Sequence, residues 1–355
     1  MASSDKPDLT DKKPSVPDGK AAPADDVVDI EGVKALLGNR GAKKFDAEAL
    51  AAILKKKVIG QDKVADQITG QLKRRLAQAE LSKKSNAKVE KPLGVFILAG
   101  PPGVGKTYFG KVLAENMYEG KGRLVHVDMA QFMQAHATSS LVGSPQGYVG
   151  GEGSLTSALN RDPKSIVLLD EFEKAHPDVQ KIFLTAWNDG FITDVRTQKH
   201  ISTTQAIFML TTNAAMDRLV EIEQTFKDDP NGRKKAVIEA LKAEKYAPEV
   251  LSRIDSIFVF EALDDTGMAR LAAVEIQMLA KKYNLTVTKI DTDYLVALIT
   301  NGEAFASGGA RELSRILDTQ LGDQMLDAQV DGAEFIRISL VDDAPFVRKV
   351  EEKKS

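Results

Sequence analysis

The sequence predicts an α/β fold: an open, mostly parallel sheet flanked by helices, followed by a smaller helix-rich α+β lid domain. Three observations predict it. First, GVFILAG (94–100), LVHVDM (124–129), SIVLLD (165–170) and AIFMLTT (206–212) are short, nearly continuous apolar runs. Runs of that kind suit strands buried on both faces. Second, helical patterns alternate with them, the βαβ rhythm of a parallel sheet. Third, the rhythm changes after Phe260, where a helical stretch (Thr266–Lys282) precedes the short strand TVTKI, two further helical stretches and FIRISL.

The elements follow in order. Residues 1–44 hold four of the thirteen prolines and no aromatic residue. Such a segment cannot bury enough surface to offset its ordering entropy, so a mostly disordered tail is expected. A short helix is expected within it at Val33–Leu37. Order is expected from Phe45. Val64, Ile68, Leu72 and Leu76 recur at i+4 and mark one apolar stripe of a helix. A basic linker is read from Ser82 to Pro92. The large domain is placed at 45–260, the small one at 261–342, and a charged, frayed tail at 343–355.

Bulk numbers bound the function. The chain has 355 residues, 43% hydrophobic and 28% charged, as in an ordinary soluble protein. A net charge of −3 advertises no surface for nucleic acid or anionic membrane. The absence of cysteine excludes disulfides and thiolate zinc sites. The N-terminus lacks the apolar core of a secretory signal. No stretch approaches the ~18 apolar residues a membrane helix needs. A cytoplasmic protein with no membrane partner is expected.

The clearest chemistry is GPPGVGKT, which spans Gly100, Pro101, Pro102, Gly103, Val104, Gly105, Lys106 and Thr107. It fits the phosphate-loop pattern, follows a buried strand and opens a helix, as that mechanism requires. Glycines let backbone N–H groups ring the phosphates. The helix N-terminus adds partial positive charge. Lys106 is expected to reach the β and γ phosphates and Thr107 to give an oxygen to Mg²⁺. ATP and Mg²⁺ are therefore the expected ligands.

SIVLLDEFEK puts Asp170 and Glu171 at the end of an apolar strand, where ligands sit in open α/β sheets. Asp170 is expected to orient Mg²⁺ through its water shell. Glu171 is expected to polarise the attacking water as general base.

With these residues in place, the chain from about Val58 to Leu340 resembles the Clp class of AAA+ unfoldases, within the phosphate-loop NTPases. The likeness is strongest to the second ATPase domain of the ClpB-type disaggregase. It is carried by VIGQD, GPPGVGKT, VDMAQFM, LVGSPQGYVG, LLDEFEKAHPDVQ, TTNA, PEVLSRID and GGARELSR. The resemblance implies that Asn213 is the first sensor, beside the γ-phosphate. It implies that Arg253 is an arginine finger acting on a neighbouring subunit's nucleotide, and hence that the chain works as a homo-hexamer. Arg311 is implied as the second sensor, and Val58 and Ile59 as the segment that packs on adenine. Tyr148, with Val149, is implied as a pore loop that grips polypeptide. Phe191–His200 matches a second pore-facing hairpin.

The sequence departs from the family pattern in four ways. It carries one ATPase domain rather than two, without the N-terminal substrate domain or the coiled-coil middle domain. The loop after Tyr148 and the second hairpin are short. Between Ala214 and Tyr246 the only glycine is Gly232, so the Ile/Leu-Gly-Phe/Leu loop of peptidase-coupled relatives is missing and docking to a ClpP-type peptidase is not expected. The arginine finger sits in SRID rather than the commoner NRID.

The leading expectation is ATP hydrolysis by a hexameric ring that threads polypeptide, delivered directly or through an adaptor. Two alternatives stand beside it. One is a nucleotide-switched scaffold or assembly factor acting on one partner. The other is a nucleic-acid motor or loader, for which the clearest basic cluster is Lys83, Lys84, Lys88 and Lys91 in the expected linker.

Overall fold

The computed structural model describes residues 45–85, 89–117, 123–147, 150–226, 229–244, 246–300 and 305–350. The expected tail at 1–44, its helix at Val33–Leu37, and Lys88, Tyr148 and Val149 lie outside the described residues.

Asp46 caps the first helix, α1 (Ala47–Lys57), by accepting from the backbone N–H groups of Glu48 and Ala49. Helix α2 (Asp62–Lys84) buries Val64, Ile68 and Leu72, three of the four stripe residues. It runs into the segment read as a linker, because Lys83 and Lys84 suit the negative end of the helix dipole. Strand β1 (Gly94–Ala99) leads into α3 (Lys106–Met117), and β2 (Leu124–Asp128) follows. Two short helices, α4 (Thr138–Val142) and α5 (Ser154–Arg161), precede β3 (Ile166–Asp170). Helix α6 (Pro177–Asn188) leads to an antiparallel hairpin, β4 (Phe191–Asp194) with β5 (Lys199–Ser202). Then come β6 (Ile207–Thr212), α7 (Met216–Thr225), α8 (Pro230–Lys242), α9 (Pro248–Leu251) and β7 (Ser256–Val259).

The main sheet has the order β2-β3-β6-β1-β7, and every pairing in it is parallel. The four expected strands are all present. Strand β7 was not among them, since a four-residue edge strand carries little apolar pattern. Strands β1 and β6 are buried at every position, as helices on both faces demand, whereas the edge strand β2 is only partly covered. Register aligns Asp128 with Asp170 and Ala99 with Thr212, so these strands end together at one edge. Beneath that edge lies an aromatic cluster: Phe172, Phe183, Trp187, Phe208 and Tyr246 sit with neighbouring ring centroids 5.3–6.3 Å apart. Aromatic contacts of this kind add to the burial of the rings themselves.

The C-terminal part holds α10 (Asp265–Lys282), β8 (Thr286–Ile290), α11 (Thr292–Thr300), α12 (Phe305–Val330), β9 (Phe335–Val341) and β10 (Ala344–Val350). Its three-stranded sheet, β10-β9-β8, packs with these helices around Ile276, Leu317, Leu321, Met325, Ile336 and Ile338. The charged tail read from residue 343 is corrected here, because β10 pairs along its whole length with β9. The turn between them is Asp342-Asp343, both at positive φ, as a two-residue hairpin requires. It lacks the glycine that normally announces such a turn. Val347 is the one buried residue of the strand, which is why its charges dominated the reading. Helix α12 is interrupted at Gly309 (φ 55°, ψ −140°). No helix among the described residues is long and apolar enough to cross a membrane.

Candidate nucleotide-binding site

The site is built at the C-terminal edge of the parallel sheet, where β1, β3 and β6 each deliver residues. After β1 the chain turns through Gly103 (φ 78°) and Gly105 (φ 93°), conformations that side chains with a Cβ rarely adopt. Lys106 and Thr107 then open α3. The Lys106 ammonium is buried and donates to three oxygens: Gly100 O at 2.6 Å, Pro101 O at 2.7 Å and Asn213 Oδ1 at 2.7 Å. Burial lowers its pKa to about 8, against the opposing pull of Glu173, Asp170 and Glu171.

Asp170 ends β3 and is held from several sides. Its Oδ1 accepts from Thr107 Oγ1 at 2.8 Å and Thr211 Oγ1 at 2.5 Å, and its Oδ2 lies 3.3 Å from His126 Nε2. Burial opposes its ionisation, yet the hydrogen bonds from Thr211, Thr107 and His126 outweigh it and keep the carboxyl below its ordinary pKa. Glu171 takes the left-handed conformation (φ 56°, ψ 49°), and its N–H donates to Thr211 Oγ1 at 2.9 Å. Its Oε2 is paired with Lys174 Nζ at 2.7 Å, and that bond raises the lysine pKa.

These residues line one polar cavity of about 280 Å³, together with Gly103, Asp128, Asn213 and Arg311. A second, mostly apolar cavity of about 300 Å³ has Val58, Ile59, Val104, Tyr108, Leu263 and Met278 in its wall. Gly103 and Arg311 line both. A polar chamber and an apolar one, sharing a wall, suit a molecule with a charged end and a flat apolar end. The start of the Arg311 helix touches the phosphate loop directly: Ala310 N–H donates to Gly103 O at 3.2 Å.

The structure thus brings together Lys106, Thr107, Asp170, Glu171, Asn213 and Arg311, with Val58 and Ile59 next door. It does not bring Arg253 to them. Arg253 lines a separate cavity of about 360 Å³ with Arg75, Lys91, Lys234 and Asp255. Thr211, Glu173, Lys174 and His126 were missed by sequence reasoning. Glu173 and Lys174 stood inside the quoted motif LLDEFEK, but nothing in spacing alone gave them a partner.

Among the described residues no group of three His, Cys, Asp or Glu side chains could hold a metal. A magnesium ion bound through phosphate oxygens and water needs no such cage, and Thr107 beside an ionised Asp170 offers the oxygen donors it takes. The residues present fit a magnesium nucleotide.

Fold and site together define a nucleotide-binding ATPase domain, and comparison with known proteins places it more closely. The AAA domain (Cdc48 subfamily) family matches residues 91–257. The chain is 38% identical over 281 residues to chaperone protein ClpB of Helicobacter hepaticus, covering 77% of this chain and 31% of that protein. It is 34% identical over 303 residues to the ATP-dependent Clp protease ATP-binding subunit ClpE of Lactococcus lactis, covering 83% and 39%. Against the probable chaperone protein ClpB 1 of Chlorobaculum tepidum it is 34% identical over 312 residues, covering 83% of this chain and 68% of that one. The chain belongs to the AAA+ ATPases of the Clp class. It spans only 31% to 39% of the length of the first two of these relatives.

Proposed function

We propose that this chain hydrolyses ATP in a homo-hexameric cytoplasmic ring and uses the energy to unfold and thread polypeptide. The observation that supports it best is the convergence of Lys106, Thr107, Asp170, Glu171, Asn213 and Arg311 on one polar cavity, beside an apolar one. Lys106 and the loop N–H groups hold the phosphates; Val58 and Ile59 pack on the base. Thr107 and, through water, Asp170 hold Mg²⁺, which supplies positive charge against the phosphate oxygens. Glu171 leaves Lys174 to take a proton from the attacking water. Asn213 positions that water, and Arg311 reports on the γ-phosphate from the lid at 261–342 to the nucleotide-binding domain at 45–260.

Arg253, remote from this cavity, completes the site of the next subunit. Its planar, permanently charged fork suits the charge spread over the transferring phosphoryl. Tyr148 and Val149 line the pore and grip the substrate. A coupled ClpP-type peptidase does not fit, because Gly232 lies within α8 rather than in an apolar docking loop. The name of the Lactococcus relative, a protease subunit, makes this worth testing directly.

The test is unfolding of a stable, tagged, folded protein. Wild type with ATP should unfold it, and Lys106→Ala and Glu171→Gln should not. Tyr148→Ala should keep its ATPase activity and lose unfolding. Normal unfolding by Tyr148→Ala would refute threading. Nucleotide-dependent binding of one folded partner without unfolding would favour a scaffold instead.

A further inference from the structure

The apolar cavity beside the phosphate site has a polar corner. Among the described residues that wall it, Glu275 is the one carboxylate. It stands on α10 between Leu271 and Met278, at the helical spacing that puts all three on the face turned to the cavity. Lys57 also reaches the wall, but it is paired with Glu115 at 3.5 Å.

Glu275 is held from the other lid helix. Ser314 Oγ, on α12, donates to Glu275 Oε2 at 2.6 Å. The same Oγ lies 3.0 Å from Ala310 O, one helical turn back. Ala310 N–H in turn donates to Gly103 O at 3.2 Å, in the phosphate loop. Gly103 and Arg311 line both cavities. A short chain of bonds therefore fixes Glu275 about one turn from the wall where the polar and apolar chambers meet. In a nucleotide, the part between phosphates and base is the ribose. With the phosphates at Lys106 and the base on Val58 and Ile59, the ribose lies at that shared wall.

We propose that Glu275, positioned by Ser314, accepts from the ribose hydroxyls of the bound nucleotide and makes the site selective for ribonucleotides. The proposal deepens the nucleotide-site reading above and rests on it. A carboxylate has acceptor capacity beyond the bond from Ser314, and it is the group that takes a ribose hydroxyl in dinucleotide-binding folds. An apolar wall discriminates weakly against a sugar that lacks its hydroxyls, whereas a dedicated polar partner left unpaired discriminates strongly. Charge alone gives the opposite sign. Glu275 repels phosphates, so a purely electrostatic role means tighter binding once it is removed.

Titration calorimetry on the full chain, with Mg²⁺ and unlabelled ADP or 2′,3′-dideoxy-ADP, tests it. Wild type should bind ADP about tenfold more tightly than the dideoxy nucleotide, as one hydrogen bond to a charged group allows. Glu275→Ala should lose about tenfold in ADP affinity and nothing in dideoxy-ADP affinity, so that the two bind alike. Glu275→Gln keeps an acceptor for Ser314, so it should melt with the wild type. Its discrimination should be intermediate, since a neutral acceptor is the weaker one. Equal binding of the two nucleotides by wild type would overturn the proposal. So would equal losses for both in Glu275→Ala, tighter ADP binding by that variant, or an undiminished ratio in Glu275→Gln. Failure of wild type to bind either nucleotide would instead remove the nucleotide-site reading beneath it.

Discussion

The Lys106 ammonium donates to Asn213 Oδ1 at 2.7 Å, so the residue we propose to hold phosphates and the residue we propose to sense them satisfy each other. Phosphate oxygens are the better acceptors for a buried ammonium, being charged. The bond is therefore one that nucleotide should exchange rather than add to.

Lys106 gives a pH dependence. Burial lowers its pKa to about 8, against about 10.4 for an unperturbed lysine. Bound phosphates favour the charged form, so nucleotide affinity should be flat below pH 8 and fall about tenfold per unit above it. Linkage gives the matching sign for stability. A lysine pKa depressed by folding means that the unfolded state holds more protons between about pH 8 and 10.4, so this group's contribution to stability rises with pH there. Titrations of ADP binding across that range, and urea melts of wild type against Lys106→Met, check the two halves separately.

Glu171 is in place but engaged with Lys174 at 2.7 Å. Glu171→Gln should leave nucleotide binding intact and lower kcat by about 10²–10⁴, the usual range for a general base. Lys174→Met should do more than the loss of a mere surface pair, where little change is expected. With its restraint removed, the carboxylate should reach water more readily and basal kcat should rise a few-fold. Steady-state phosphate release measures both.

The contact between Gly309 and Gly103 sets a steric prediction. A Cβ at Gly309 would stand 2.7 Å from Gly103 Cα, and the residue sits at φ 55°. Gly309→Ala should destabilise the nucleotide-free chain by about 1–3 kcal/mol, the cost of strain of this kind. It should also weaken ATP more than it weakens adenosine, because the displaced loop carries the phosphate contacts. Thermal melts and competition binding report the two effects.

How far these features were legible follows from their physics. The strands β1, β3 and β6 could be read because a parallel sheet covered on both faces needs unbroken apolar runs. That Lys106, Thr107, Asp170 and Glu171 share one cavity could be anticipated because a phosphate-loop pattern and a strand end follow one another in that order. The edge strands were harder. β7 is four residues long, and β10 hides its one buried residue, Val347, among charges. The partners Thr211, Glu173 and Lys174 were illegible for another reason: their roles depend on which way a strand end faces across the sheet, which spacing along the chain does not encode. Val58 and Ile59 looked like any core pair until Val104, Leu263 and Met278 closed the apolar cavity around them.

The central claim is that each site takes Glu171 from one subunit and Arg253 from the next. Mixing two inactive variants, Glu171→Gln and Arg253→Ala, tests it most directly. In mixed rings some sites pair an intact Glu171 with a neighbour's intact Arg253. ATPase activity should therefore reappear on mixing and peak at intermediate ratios. Mixtures no more active than either variant alone would contradict the account.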